Sequence, residues 1–270
     1  MSMDKKLLYF HGSTLPPGSN SSELWKPTLE RPFFVADNPD AAIDYAIENI
    51  VGAGKDPSIF ILVAKKPLNK IAFDLSSGGN VNSLSSKFPS LVEFIHLFRD
   101  TNILTSYNGR RPFYDIIDRI SIILTSIMTL DDGNMSQTNQ FLLSDPEAPY
   151  DLGVSEKERY LIGHLLDELG LAKISNNVVM LGNETSSFMK KVKSREEGSS
   201  RDLRRLIKSK VFQEIYRQGF KVVMDDDTTA MRLDGYEYAV FDMDVFQGGF
   251  SNSLPLEGIK SAIRKIGEIK

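Results

Sequence analysis

The sequence predicts an α+β fold in which two β-rich flanks enclose a helical middle. Three observations lead there. Short apolar runs of strand length crowd the first 75 residues and return after residue 220. The texture changes at Ser76, where a Ser/Gly/Asn-rich stretch opens. From Ser90 to Leu169, apolar residues recur with helical spacing instead. A chain of 270 residues, 41% hydrophobic, is long enough for one large domain or two small ones.

Taken in order, Lys6-Leu-Leu-Tyr-Phe10 is a buried strand that ends at His11-Gly12-Ser13. Gly12 would let a ligand approach the main chain, although the tripeptide taken alone reads better as a simple turn with His11 capping something nearby. Leu15 to Pro32, with four prolines, is a loop. Phe33 to Ala36 is a second strand. Asn38 then suits a helix N-cap and Pro39 the first helical position. That helix runs to about Val51 and stops at Gly52, with Ala42, Ile43, Ala46, Ile47 and Ile50 as its stripe and Tyr45 beside it. Ser58 to Ala64 is a buried strand, and Pro67 to Asp74 gives a turn and a short one. Ser76 to Ser86 is a loop.

Helices follow over Ser90–Arg99, Pro112–Met128 and Ser155–Leu169, the last opened by the capping-box pattern Ser155-Glu-Lys-Glu158. Asp131 to Leu152 is polar and turn-rich, and Asn177 to Leu181 is a short strand. Lys190 to Lys210 holds nine Lys/Arg against three Asp/Glu. Within it, a helix from Ser200 to Gly219 carries the stripe Leu203, Leu206, Ile207, Val211 and Ile215. Arg201, Arg204, Arg205 and Lys208 fall on its other side, as a solvated face or a nucleic-acid-facing one. Phe220 to Met224 is a strand, Asp225 to Thr229 a loop, and Pro255 to Lys270 a terminal helix. Between them the turn Asp234-Gly235 leads into a strand opened by Glu237. A strand former is favoured at that position, so the carboxylate is either a solvated edge charge or a working group.

Composition narrows the function classes. A net charge of −4 argues against a surface coated for nucleic acid. The absence of cysteine excludes disulfides and thiolate metal sites. His11, His96 and His164 lie too far apart in sequence to suggest a metal cluster. No secretion signal opens the chain, and Ile116 to Leu130, broken by Asp118 and Arg119, is too short to span a bilayer. A soluble cytoplasmic protein without a membrane partner is expected.

His11-Gly12-Ser13 after an apolar strand, Phe34 and Tyr45 with ten residues between them, and Glu237-Tyr-Ala-Val-Phe-Asp242 come in a distinctive order. In that order they resemble the His-Tyr-Glu motifs of ADP-ribosyltransferases of the diphtheria-toxin and poly(ADP-ribose) polymerase branch. Phe34-Val-Ala-Asp37 echoes the Tyr-Phe-Ala-Asp of the polymerases. The resemblance covers about residues 5–75 and 205–247. It departs at Phe34, where the family has Tyr, and at Ala42, where the polymerases carry a nicotinamide-binding Ser.

The resemblance implies a single domain with a split β-sheet core over 1–75 and 205–250; the composition change at Ser76 and the helical patterns add a helical insertion over 76–200 and a C-terminal helix over 255–270. It implies NAD as co-substrate and no metal. Glu237 would stabilise the ribose as nicotinamide leaves. His11 would bind the adenosine-side ribose, the backbone of Gly12 beside Ser13 would pair with the carboxamide, and Phe34 and Tyr45 would sandwich the nicotinamide ring. Single-unit transfer to a macromolecular acceptor, protein or nucleic acid, is expected, as in a bacterial or phage toxin or effector. Gly235 stands where arginine-directed members carry Glu or Gln, which disfavours arginine as the acceptor. An inactive binding module of the same fold and an RNA 2′-phosphotransferase-like enzyme are the alternatives.

Overall fold

The computed structural model describes residues 7–20, 24, 26–48, 57–75, 78–100, 113–130, 140–144, 154–193, 199–225, 235–249 and 253–255. In chain order its elements are β1 (Leu8–Ser13), β2 (Phe33–Ala36), α1 (Pro39–Glu48), β3 (Ser58–Ala64), β4 (Phe73–Asp74), α2 (Gly78–Ser83), α3 (Pro89–Asp100), α4 (Phe113–Leu130) and β5 (Gln140–Leu142). They continue with α5 (Glu156–Glu168), β6 (Ala172–Ser175), β7 (Val178–Leu181), α6 (Asn183–Lys193), α7 (Ser199–Arg217), β8 (Val222–Asp225), β9 (Glu237–Val240), β10 (Phe246–Gly249) and β11 (Leu254–Pro255). The chain divides into two compact units, Met1–Ser76 with Ile215–Lys270, and Ser77–Glu214.

The first unit is built on an eight-stranded mixed sheet of order β10-β3-β1-β2-β9-β8-β4, with β11 also paired to β3. Strands from both ends of the chain therefore interleave. Only β4 and β8 run parallel among the described pairs. Every residue of β3, Ser-Ile-Phe-Ile-Leu-Val-Ala, is buried, as suits a strand covered on both faces. Alternation along the strands sorts two cores. Tyr9, Phe33, Val35, Leu62, Tyr238 and Val240 pack on one face. Leu8, Phe10, Ile59, Ile61 and Val63 pack on the other, against Ala42 and Ala46 of α1. Small residues on that helix let it lie close to the sheet. Its start is fixed as the sequence predicts: the Asn38 side-chain oxygen accepts the Asp40 N–H at 2.8 Å, with Pro39 as the first helical residue.

The second unit contains α2 to α6, most of α7, and a small antiparallel sheet of order β5-β7-β6. Asn176 and Asn177, both with positive φ, form the two-residue turn between β6 and β7. Asn177 also clamps the backbone of Ser144 with its amide, at 3.1 and 3.0 Å. Helix α5 opens with the expected capping box between Ser155 and Glu158. The same Glu158 pairs with Arg119 of α4 at 3.2 Å. All five residues of the predicted α7 stripe, Leu203, Leu206, Ile207, Val211 and Ile215, are buried.

The architecture is mixed α/β, compatible with the α+β class, and it differs from the expectation in particulars. The short strand expected over Asn177–Leu181 is β7, but it is not alone in the helical middle: β5 and β6, which were not expected, pair with it in a small sheet. The stretch expected as a loop from Ser76 instead holds α2 and a 3-10 turn at Leu84–Ser86. Strand β1 continues past Phe10 through Ser13, because its ladder with β3 runs unbroken to Ser13 opposite Ser58. The helix end at Val51–Gly52, Asp234 of the expected turn, the loop over 226–229 and the terminal helix from 256 lie outside the described residues. Among the described residues no helix is long and apolar enough to cross a membrane.

Candidate active site

Glu237 heads β9, which lies between β2 and β8. It faces Ala36 on one side and Asp225 on the other. This is an interior strand, so Glu237 is not a solvated charge on a sheet edge. Its side chain is half-buried. A carboxylate kept at the first position of an interior strand gives up part of its hydration, which a surface charge avoids.

Register fixes which residues share its face. Residues directly opposite one another in a sheet point to the same side, and neighbours along a strand alternate. Phe10 pairs with Ala36, and Ala36 with Glu237. Phe10 packs toward Ala42 and Ala46, and Ala36 clusters with Ala41. Glu237 therefore belongs to the face overlain by α1. Phe34, two residues before Ala36, shares that face and is half-buried. Gly12, two residues after Phe10, shares it as well. Tyr45 lies on α1 beside the alanine stripe and is 45% exposed, so its ring is not core filling.

At Gly12 the sheet and α1 lie in close approach. A Cβ on Gly12 would stand 2.3 Å from the Ala42 carbonyl oxygen and 3.1 Å from the Ala46 Cβ. The space above its Cα is thus taken by the helix rather than left to a ligand, and Gly12 sits opposite Ile59 in the β1–β3 ladder. Gly12→Ala is accordingly expected to destabilise the fold by about 1–3 kcal/mol, the scale of overpacking, because backbone rather than a flexible side chain must give way. Urea unfolding followed by circular dichroism measures this; an unchanged midpoint would show that α1 shifts at no cost.

His11 and Ser13 alternate to the opposite face. The His11 ring packs 4.2 Å from Phe33 and 6.5 Å from Phe60, centroid to centroid, and is 3% exposed. Its Nδ1–H donates to the Phe34 carbonyl at 2.7 Å. That bond lies just beyond the single β1–β2 bridge at Phe10 and Ala36, so the imidazole ties the two strands where their ladder stops. Burial pushes its pKa down from 6.5 to about 4, against a small upward pull from the Phe34 carbonyl, so the ring is neutral at pH 7. Ser13 is buried and its Oγ accepts the Leu15 N–H at 3.1 Å, a local turn contact. The structure thus gathers Gly12, Phe34, Glu237 and α1 on one side and sets the His11 and Ser13 side chains on the other.

Sequence reasoning gave Asp37 no role of its own. Its carboxylate accepts the Tyr236 N–H at 2.8 Å and the Tyr238 O–H at 3.3 Å. Its own N–H donates to the Tyr236 carbonyl at 3.3 Å. Partial desolvation raises its pKa, and the bonds from Tyr236 and Tyr238 pull it back down. Tyr238 is in turn held edge-on by Tyr9, 5.3 Å away, whose hydroxyl accepts the Leu68 N–H at 2.7 Å. The available signal was the Asp that closes Phe34-Val-Ala-Asp37.

No family model, curated protein or solved structure matches the chain.

Proposed function

We propose that this chain is an NAD-dependent mono-ADP-ribosyltransferase whose first unit is an ADP-ribosyltransferase-like split sheet. One observation carries the reading. Phe34 and Glu237, drawn from distant stretches, share one sheet face, and Gly12 on the same face seats against it the helix that holds Ala42 and Tyr45. In this reading the nicotinamide ring stacks between Phe34 and Tyr45. Glu237 orients the ribose and stabilises the positive charge that builds on C1 as nicotinamide departs. A macromolecular nucleophile, protein or nucleic acid, then takes the ADP-ribose. His11 acts by holding β1 to β2 through the Phe34 carbonyl rather than by touching the ribose. An effector or toxin working in a cytoplasm fits such chemistry.

The buried His11 ring favours a second reading, a module of the same fold that binds without catalysing. Incubating the pure protein with NAD and following free nicotinamide by chromatography separates the two. Release supports the transferase. Binding of NAD without release, with protein and RNA acceptors both offered, supports the module. Tyr45→Ala provides a finer check. Because its ring is substantially exposed, the variant is expected to keep its melting temperature while NAD affinity falls several-fold, about 0.5–1.5 kcal/mol of stacking. Unchanged affinity by calorimetric titration removes Tyr45 from the site.

A further inference from the structure

We infer that Asp37 is a positioning residue for Glu237, fixing the backbone on either side of that carboxylate. The inference rests on the transferase reading above. Both residues flanking Glu237 are tied to this one side chain: Tyr236 through its N–H at 2.8 Å and Tyr238 through its hydroxyl at 3.3 Å. A third bond, from the Asp37 N–H to the Tyr236 carbonyl at 3.3 Å, makes the attachment to Tyr236 two-ended. Helix capping does not account for the residue, since Asn38 caps α1. Tyr238 is itself immobilised, being 1% exposed and packed edge-on against Tyr9. The result is a closed brace around one residue: the end of β2, the segment entering β9, and the buried second residue of β9. Glu237 sits between the braced positions, so its Cα and the direction in which its side chain leaves the strand are fixed. A catalytic carboxylate needs that, because small misplacements of a reacting group are costly.

The test uses the full chain and NAD, with rates scaled to the folded fraction measured by circular dichroism. Asp37→Ala removes both acceptors and is expected to lower kcat for nicotinamide release by about 10- to 100-fold, the scale of a small misplacement, with little change in KM. Asp37→Asn keeps an oxygen for the Tyr236 N–H and should retain most of the rate. Asp37→Ala combined with Glu237→Gln should be no slower than Glu237→Gln alone, since a residue acting only through Glu237 has nothing left to position. An Asp37→Ala enzyme with wild-type kcat overturns the inference, as does a double variant whose losses multiply in full. In both of those cases wild-type release leaves the transferase reading standing. No release by the wild type overturns the reading and the inference together.

Discussion

Glu237→Gln is expected to slow nicotinamide release by about two to three orders of magnitude while leaving the melting temperature nearly unchanged. Glutamine keeps the size and one carbonyl oxygen, so the strand and its pairing with Ala36 and Asp225 persist. What disappears is the negative charge. In the ground state that charge faces a neutral sugar. In the transition state it faces a cationic one, so its loss falls on the barrier rather than on binding, and KM for NAD should barely move. A half-buried polar side chain exchanged for its isostere lies outside the short list of changes that unfold proteins. Chromatographic rates and a thermal melt on the same preparation check both halves. A variant with wild-type turnover would remove Glu237 from the chemistry, and with it the proposed reaction.

The second large effect belongs to His11 and appears in stability rather than rate. Its pKa is about 4 in the folded protein against 6.5 for an ordinary histidine. Between those values the unfolded chain binds a proton that the folded chain refuses, so stability rises with pH across that window and is lost as pH falls from 6.5 toward 4. At about 1.4 kcal/mol for each unit, the loss is on the order of 3 kcal/mol. The ion pair of Lys221 with Asp242 does not confuse the reading, because Lys221 holds Asp242 below the usual carboxylate range and that contribution fades only at more acid pH than this window. The difference between wild type and His11→Gln isolates the histidine. The variant is expected to be less stable at pH 7, having lost the bond to Phe34, yet to show a flatter profile between pH 6.5 and 4. Urea unfolding at half-unit steps of pH measures this. Parallel profiles would mean that the ring takes up its proton in the folded state without penalty.

Much of both units was legible because their signals are local. The apolar run Ile59–Ala64 of β3, the Asn38-Pro39 helix start and the Ser155–Glu158 box each carry their own evidence, and each is present. Glu237 stood out because a carboxylate opens a run of strand formers. The misses depend on partners far away in sequence. Nothing local says that β1 runs on to Ser13; β3 supplies that, pairing through to Ser58. β10 and β11 are short, and they are strands because β3 offers them an edge. Which face His11 takes follows from register, and one residue of slip would reverse it. Histidine at a strand end reads as a ligand contact; histidine two residues inside the strand reads as core. Asp37 was hidden because an Asp before a helix suggests a cap, and only the fold brings Tyr236 and Tyr238 to it.

The interleaving of the large sheet also sets an order of events during synthesis. β4 finds its neighbour in β8, Phe73 beside Val223, only after the whole Ser77–Glu214 unit has left the ribosome. Until then β2 lacks β9, and its open edge is a template for wrong pairing. Closing so long a connection is slow for a flexible chain, and a connection that has already folded leaves less of it to order. The middle unit thus stands between translation of the first strands and their completion, and a nascent chain stopped before Glu237 carries Gly12 and Phe34 without the carboxylate that joins them.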